Sequence, residues 1–331
     1  MVEPEAEGNV MTLLEIEGLK VYYKTWEGWI KAVDGVNVSL EKGESLGLVG
    51  ESGSGKSTLA LALMNLLPPQ AKIIEGKILF KGKDLTKIPD KEYRKVRGKE
   101  ISMIFQDPMT SFNPLMRIGD HITEIITAHE KVDKKEAWER AEKLLEMVGI
   151  PKERAKDYPH QFSGGMRQRA MIAIALALNP DILIADEPTT ALDVIVQAQI
   201  LDLIKRLKEE MDMALLFISH DISVVMEVAD KIGVMYAGHL VEVADTYSIA
   251  EEPLHPYTKG LIRSIPNILL SDQKLESIPG NPPDLANPPS GCRFHPRCPY
   301  ATDRCRSEEP PLVKVGKSYV KCFLYKEEGE R

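Results

Sequence analysis

Cysteine is missing from the first 291 residues, because all four cysteines of this 331-residue chain lie between Cys292 and Cys322. A disulfide scaffold is therefore not expected for most of the chain. Positive charge is also scarce: 42 Lys and Arg residues oppose 50 Asp and Glu residues, and the formal net charge is -8. Because nucleic acids are bound mainly through surplus Lys and Arg, no nucleic-acid partner is expected.

Long apolar segments are absent too. No run approaches the roughly 20 residues that a membrane-spanning helix needs. Residues 1–9 are acidic, whereas a secretory signal begins basic and then turns apolar, so we expect the chain to remain in the cytosol. No repeat of solenoid length and no sustained heptad pattern occurs. With 43% hydrophobic residues, the chain can bury one large core and carry a smaller appended unit.

A glycine-rich loop is the most informative feature that is present. Residues Gly50 to Ser57 read GESGSGKS, after the apolar run Leu46 to Val49 and before a helical repeat from Leu59 to Leu67. A buried strand, a loop of this pattern and a helix form a phosphate-binding loop. The sequence therefore predicts that the chain binds a nucleoside triphosphate.

The residue types in this loop suit phosphate chemistry. Gly53 and Gly55 leave room for backbone N–H groups around phosphate oxygens, Lys56 can reach the outer phosphates, and Ser57 can hold Mg²⁺. We predict that the nucleotide is contacted by Gly50, Ser52, Gly53, Ser54, Gly55, Lys56, Ser57 and Thr58.

Two adjacent acids end an apolar strand further along the chain. Residues Asp181 to Glu187 read DILIADE, and ligands of open α/β sheets bind at the carboxyl ends of strands. Asp186 is placed to hold Mg²⁺, and Glu187 can polarise the water that attacks the γ-phosphate. The alternative is that the two acids merely begin a solvated loop. A helical stripe and a second apolar run, Leu215 to Ile218, follow and predict a parallel sheet covered on both faces.

A second helix N-terminus is predicted at Phe162 to Arg169, which reads FSGGMRQR. Ser163 can cap a helix that runs to about Leu178, and Gly164 and Gly165 permit close approach of a phosphate. The alternative is that this turn is a helix cap and nothing more.

Three further segments outline the organisation of the chain. Leu19 to Tyr23, Val33 to Leu40 and Ser45 to Leu48 suggest a small antiparallel layer. Asp133 to Val148 predicts a helix that Gly149 ends, within an inserted helical subdomain. We expect the following divisions: a flexible N-terminus over residues 1–11, a nucleotide-binding domain over 12–250 with its helical subdomain at about 107–179, and a C-terminal extension over 251–331.

The phosphate loop, the Ser-Gly-Gly segment and the acidic strand, in this order, resemble the nucleotide-binding subunit of an ATP-binding cassette (ABC) transporter. The resemblance implies an α/β P-loop NTPase (RecA-like) core with an antiparallel β layer, an inserted helical subdomain and a small Cys-containing C-terminal extension. It also implies ATP and Mg²⁺ as cofactors and ATP hydrolysis as the activity.

The same resemblance assigns roles to four more residues. Gln106 matches the glutamine that contacts Mg²⁺ and the attacking water, and His220 matches the histidine that holds the γ-phosphate. Asp193 matches the loop that signals across a dimer of cassettes. Tyr23 matches the aromatic residue that stacks on adenine, although the adjacent Tyr22 leaves this assignment open.

Details of the resemblance point to importers. The FSGGM variant and the segments HPYTKGL from His255, IPGNPPDL from Ile278 and GCRFHPRCPYA from Gly291 are similar to ATPases of oligopeptide and dipeptide importers. Oligosaccharide importers share this extension, so oligosaccharide is the alternative cargo. A soluble cassette ATPase acting in DNA repair or translation, and a protein that binds ATP without hydrolysing it, are the rivals from other classes.

The resemblance also implies partners. Ser163 and Gly165 would contact nucleotide bound by a second, related ATPase subunit, in a heterodimer beneath two transmembrane permease subunits. Cargo would be selected with an extracytoplasmic binding protein, and this chain would lie at the cytoplasmic face of the membrane.

The cysteines need a separate explanation. Cys292, Cys298, Cys305 and Cys322 follow neither the spacing of most zinc ribbons nor that of ferredoxins. Similar extensions in peptide-importer ATPases carry an iron–sulfur cluster, so the resemblance implies a four-cysteine [4Fe–4S] site. Zinc is the rival, helped by His295, and free thiols or disulfides remain open.

Overall fold

The computed structural model describes residues 12–107, 111–265 and 278–326, and the expected flexible N-terminus, residues 1–11, lies outside these ranges. The strands are β1 (Thr12–Lys24), β2 (Trp29–Glu41), β3 (Ser45–Val49), β4 (Ala71–Phe80), β5 (Lys83–Asp84), β6 (Ile101–Ile104), β7 (Ile182–Asp186), β8 (Ala214–Ser219), β9 (Lys231–Tyr236), β10 (His239–Asp245), β11 (Val313–Val315) and β12 (Ser318–Val320). The α-helices are α1 (Lys56–Leu63), α2 (Asp90–Val96), α3 (Ile118–His129), α4 (Lys134–Met147), α5 (Gly164–Ala175), α6 (Val194–Glu210), α7 (Ile222–Val228), α8 (Thr246–Glu251), α9 (Pro256–Arg263) and α10 (Asp303–Ser307).

An antiparallel sheet with the strand order β2-β1-β4-β5 forms one layer. The predicted strands at Leu19 to Tyr23 and Val33 to Leu40 lie in it and are confirmed. The assignment of Ser45 to Leu48 to this layer is wrong, because these residues belong to β3. All five residues of β3 are buried, and β3 pairs in parallel with β8 and β9. A strand that is apolar on both faces fits a covered sheet better than a half-exposed layer.

The second sheet has the order β11-β12-β10-β9-β3-β8-β7-β6. Its strands from β9 to β6 run parallel, as the strand-helix-strand pattern predicts. Every residue of β3, β7 and β8 is buried, so helices and the antiparallel layer cover both faces. The carboxyl ends of β3 and β7 lead into the phosphate loop and into Glu187, which places the two predicted chemical features at one edge of the sheet.

The predicted helical subdomain contains α3, α4 and α5, whose buried apolar residues share one core with the parallel sheet. Helix α4 confirms the helix expected over Asp133 to Val148: Asp133 caps it, and Gly149 follows it with φ of +79°. Helix α5 begins after its cap Ser163, as expected, and ends at Ala175, three residues before the predicted end. Across the described ranges, no helix is long and apolar enough to cross a bilayer.

The C-terminal extension is joined to the main sheet. Strands β11 and β12 form a hairpin, and β12 pairs with β10 in antiparallel fashion through Val320 and Glu242. Glu242 is buried and accepts hydrogen bonds from the backbone N–H groups of Leu254 and His255, at 2.7 and 2.8 Å. The extension therefore packs against the nucleotide-binding domain at the boundary that the sequence predicts near residue 250.

Candidate functional site

A cavity of about 580 Å³ opens where the phosphate loop follows β3. We call it the nucleotide cavity. Residues 52–58 line it, together with Tyr23, Gln106, Glu187 and Leu285. Elements from the antiparallel layer, the parallel sheet and the C-terminal extension thus meet at one cavity.

The glycines of the loop are needed for its path. Gly53 has φ of +77°, a conformation that residues with a side chain rarely adopt. Gly55 has φ of +104°, and a Cβ atom there would lie 2.1 Å from the carbonyl oxygen of Ala32. Helix α1 begins directly after Gly55, so its N-terminal N–H groups face the cavity and can bind phosphate oxygens.

Lys56 is buried beneath this loop, where its ammonium group donates to the carbonyl oxygens of Gly50 at 2.7 Å and Glu51 at 3.1 Å. Burial lowers the pKa of Lys56, and the nearby carboxylates of Glu187 and Asp186 counteract this effect. A desolvated cation beside a row of N–H donors is suited to a polyanionic ligand.

Ser57 and Asp186 come together as predicted for a Mg²⁺ site. The Ser57 hydroxyl donates to Asp186 Oδ1 at 3.0 Å, across 129 residues of sequence. Burial raises the pKa of Asp186, and the Ser57 hydrogen bond opposes the shift. A hydroxyl and a carboxylate are hard oxygen ligands of the kind that Mg²⁺ prefers, and phosphate oxygens and water can complete its coordination.

Glu187 is the centre of a polar cluster. Its Oε2 accepts from Gln106 Nε2 at 3.1 Å and from Thr190 Oγ1 at 3.0 Å, and His220 Nδ1 lies 3.3 Å away. Glu187 also has φ of +47°, a strained value for a residue with a side chain, and such strain concentrates at functional sites. The three residues predicted to be catalytic, Glu187, Gln106 and His220, therefore lie together.

The two adjacent tyrosines of β1 differ in their surroundings. Tyr23 lines the nucleotide cavity and shares a hydrogen bond with Thr58 Oγ1 at 3.1 Å. Tyr22 instead donates to Asp34 Oδ1 at 2.7 Å. Of the two tyrosines, the structure places Tyr23 at the nucleotide cavity, and its stacking on adenine stays a prediction.

Ser163, Gly164, Gly165 and Asp193 do not line the nucleotide cavity. Ser163 accepts from the Met166 N–H at 3.3 Å, and Asp193 accepts from the N–H groups of Ile195 and Val196 at 3.1 and 3.0 Å. These two capped helices approach each other, since a Cβ atom on Gly165 would lie 2.7 Å from Val196 Cγ1. The predicted role of these residues on a second subunit's nucleotide stays a prediction.

Two family models match the chain: the ABC transporter model over residues 33–190, and the model of the oligopeptide/dipeptide transporter C-terminal region over residues 241–305. The chain is 52% identical to the oligopeptide transport ATP-binding protein OppD of Bacillus subtilis (strain 168), covering 96% of this chain and 90% of that protein. It is 46% identical to OppD of Escherichia coli (strain K12), covering 98% and 97%. The chain belongs to the ATP-binding subunits of oligopeptide/dipeptide ABC transporters.

A solved structure of another ABC cassette supports the fold. The post-hydrolysis dimer of the cassette MJ0796, bound to ADP and phosphate, superposes with a TM-score of 0.64 and 30% sequence identity, covering 70% of this chain and 98% of that one. This ABC subunit therefore has the cassette fold predicted from its sequence, and it is an ATPase.

The four cysteines of the ABC subunit surround a second cavity, of about 140 Å³. Burial raises the pKa of Cys292 and Cys322 to about 11, so both are protonated thiols near neutral pH unless a metal displaces the proton. Within the described ranges, no group of three or more His, Cys, Asp or Glu residues is arranged to hold a metal ion. The predicted [4Fe–4S] site therefore stays a prediction.

Several residues of the site escaped sequence reasoning. Thr190 touches Glu187, and Leu285 reaches the nucleotide cavity from the C-terminal extension. Tyr257 and Arg297, also in the extension, bond to Glu51 of the phosphate loop. Glu51 stands inside the phosphate-loop motif and could have been noted as a charged residue there. Tyr257, Leu285 and Arg297 lie in segments that resemble peptide-importer ATPases, but those segments do not show that these residues reach the nucleotide site.

Proposed function

We propose that this subunit powers the import of oligopeptides or dipeptides, paired with a second ATPase beneath two permease subunits at the cytoplasmic face of the membrane. The observation that carries the proposal is the similarity over almost the whole chain, including the C-terminal extension, to subunits named for oligopeptide or dipeptide transport. The scarcity of positive charge argues against the alternative of a nucleic-acid-directed ATPase.

The predicted site residues divide into two sets. One set lies at the nucleotide cavity of this chain, and the other, the outward set, consists of Ser163 and Gly165 and would contact the nucleotide of a second subunit. The phosphate loop, Lys56 and Ser57 would bind the triphosphate, and Ser57 and Asp186 would hold Mg²⁺, which neutralises charge on the phosphate oxygens. Glu187 would accept the proton of the attacking water, held in place by Gln106 and Thr190. His220, beside Glu187, would contact the γ-phosphate.

The outward set makes this site incomplete without a second subunit. Ser163 and Gly165 lie outside the nucleotide cavity of their own chain, at the N-terminus of α5. Such a terminus can bind the γ-phosphate of a nucleotide held opposite. The related cassette MJ0796 is described as dimeric, which supports this arrangement. We propose a heterodimer whose closure on ATP and reopening after hydrolysis move the permeases.

The proposed function is tested with the assembled transporter in detergent. ATP hydrolysis is measured with the binding protein loaded with short peptides and, separately, with oligosaccharides. Stimulation by peptides alone is the expected result. Stimulation by oligosaccharides alone would reassign the cargo, and recovery of the ATPase without any membrane partner would contradict the importer role.

We further propose that Cys292, Cys298, Cys305 and Cys322 hold a [4Fe–4S] cluster that cross-links the extension. Support comes from the single small cavity that all four line. Anaerobic purification should give a brown protein that absorbs at about 400 nm and contains about four iron and four sulfide ions per chain. Cys322→Ser should lose the absorption, while Ser307→Ala, an exposed hydroxyl of the same segment, should keep it. A colourless protein containing zinc would replace this proposal with the zinc alternative.

A further inference from the structure

Glu51, the second residue of the phosphate loop, is held by three groups. Its backbone N–H donates to Tyr257 Oη at 2.9 Å. Its carboxylate accepts a two-point hydrogen bond from Arg297, with Nη1 at 2.7 Å and Nη2 at 2.9 Å. Its carbonyl oxygen accepts from the Lys56 ammonium at 3.1 Å. Two of these three groups belong to the C-terminal extension.

Arg297 is itself fixed in place. Only 8% of it is exposed, and its Nε donates to the carbonyl oxygen of Pro279 at 2.9 Å. Bidentate pairs of this kind are strong and strongly oriented, and removing one partner leaves the other charge poorly solvated. The hydrogen bonds to Glu51 raise the pKa of Arg297, which keeps it charged at any physiological pH.

Tyr257 is equally constrained. It is fully buried in α9, with ring centroids 4.7 Å from Tyr236 and 5.5 Å from Phe294. The ring cannot swing away without opening this aromatic cluster, so its hydroxyl is a fixed acceptor for the Glu51 N–H.

We propose that Tyr257 and Arg297 are positioning residues of the ATP site, because they fix Glu51, and the peptide units on either side of Glu51 carry the two carbonyl acceptors of the Lys56 ammonium, Gly50 O at 2.7 Å and Glu51 O at 3.1 Å. The inference rests on the proposed role of Lys56 in binding the outer phosphates. Rotation of either peptide unit beside Glu51 would move an acceptor of Lys56 and distort the loop that cradles the phosphates. The C-terminal extension is thereby a working part of the nucleotide site.

Arg293 connects the same extension to the phosphate loop a second time, through residues 237–238. Arg293 donates to the carbonyl oxygen of Ala237 and pairs with Asp34. Gly238, which follows Ala237 in the chain, donates its N–H to the carbonyl oxygen of Ser54 in the phosphate loop at 2.9 Å. The start of the loop at Glu51 and its middle at Ser54 are therefore both bonded to the extension or to a segment that the extension contacts.

The test measures Mg-ATP binding by calorimetry in the full-length chain carrying Glu187→Gln, so that turnover does not interfere. Tyr257→Phe should weaken binding about tenfold, the effect expected for one lost hydrogen bond to a buried group, and Arg297→Met, which removes a two-point ion pair, should weaken it at least as much. Arg306→Met is the matched control: Arg306 is an exposed arginine of the same extension, and this variant should bind as the parent does.

Two comparisons separate positioning from general stability. Arg297→Lys keeps the charge but not the two-point geometry, so it should recover only part of the affinity. The double variant Arg297→Met with Glu51→Gln should bind little worse than either single variant, because both remove the same interaction. Thermal unfolding without ATP shows whether each variant is folded. If Arg297→Met does not fold, the Mg-ATP affinity of Tyr257→Phe, which loses only one oxygen atom, tests the inference.

Variants that are folded and bind Mg-ATP as tightly as Arg306→Met would overturn the inference. A parent chain that binds no Mg-ATP would instead contradict the proposed nucleotide site itself, so the two failures are distinguishable.

Discussion

At the scale of single residues, Glu187 combines three polar neighbours with an unusual backbone conformation. Gln106, Thr190 and His220 all approach the same oxygen atom, Oε2, which leaves the other oxygen of the carboxylate free of these contacts. A carboxylate held in this way can orient a water molecule and accept its proton without first losing rotational freedom.

Replacing Glu187 with Gln should therefore abolish turnover and keep binding. Gln has nearly the same shape but cannot accept the proton, so we expect the hydrolysis rate of the assembled transporter to fall about 10²- to 10⁴-fold with little change in the Kd for Mg-ATP. Glu227→Gln, an exposed glutamate in α7, is the control. Turnover at the wild-type rate would remove Glu187 from the role of base.

The buried His255 is expected to make the free energy of unfolding depend on pH. It is buried at the cap of α9, where Nδ1 accepts from the Tyr257 N–H at 3.1 Å, and burial lowers its pKa from 6.5 to about 3. Between these two values the unfolded chain binds more protons than the folded chain, so stability falls as the pH falls below about 6.5. The contribution of His255 should be about 1.4 kcal/mol per pH unit, or nearly 3 kcal/mol by about pH 4.5.

Urea unfolding at several pH values between about 7 and 4.5 measures this slope. His255→Asn keeps a cap acceptor without a titrating ring, so its slope should be shallower. Burial raises the pKa of the neighbouring Glu242 above 4.5, so above that pH the contribution of Glu242 to stability falls as the pH rises. Glu242 is present in both proteins, so its contribution cancels when their slopes are compared. Equal slopes for the two proteins would show that His255 does not titrate as its burial implies.

At the scale of elements, a helix approaches the parallel sheet closely at a glycine of β3. A Cβ atom on Gly47 would lie 2.1 Å from Val225 Cγ1 and 2.9 Å from Ala229 Cβ, both on the α7 side. Because valine has little rotamer freedom, the helix itself would have to move away.

Gly47→Ala should accordingly lower the free energy of unfolding by about 1–3 kcal/mol, the usual cost of overpacking a core. Gly164→Ala tests the same change where the nearest side-chain atom is 3.8 Å away, and it should shift stability by less than about 0.5 kcal/mol. Chemical denaturation measures both, and equal effects would contradict close packing at Gly47.

At the scale of the whole molecule, the extension and the nucleotide-binding domain share a sheet, a buried carboxylate and the phosphate loop. Strand β12 pairs with β10, Glu242 binds the backbone that leads into α9, and Tyr257 reaches Glu51. Elements connected in this way are expected to unfold together rather than as two independent units.

The two faces of β12 provide the test. Val320 is fully buried, whereas 43% of its neighbour Tyr319 is exposed. Val320→Asp should destabilise the entire chain by about 3 kcal/mol or more and shift a single unfolding transition, because it places a charge in the core. Tyr319→Asp should have a much smaller effect. A separate early transition in Val320→Asp would show that the extension unfolds alone.

The sequence by itself determined the parts of this protein that depend on local pattern. Gly55, Lys56 and Ser57 follow a fixed spacing between an apolar strand and a helix, so the phosphate loop could be recognised without coordinates. The acid pair at the end of β7 and the capped start of α5 were predicted for the same reason. The family followed from the order of these motifs.

Only the tertiary structure decided which distant segments meet. Ser45 to Leu48 has the apolar character of a strand, but partners far along the chain placed it in the parallel sheet. Similarly, Arg297 lies 246 residues from Glu51, and although each stands in a recognisable segment, neither segment indicates that the two residues meet. Periodicity and motif spacing report interactions along a helix, strand or loop, whereas contacts between remote segments depend on how the packed elements align, and no local spacing encodes that alignment.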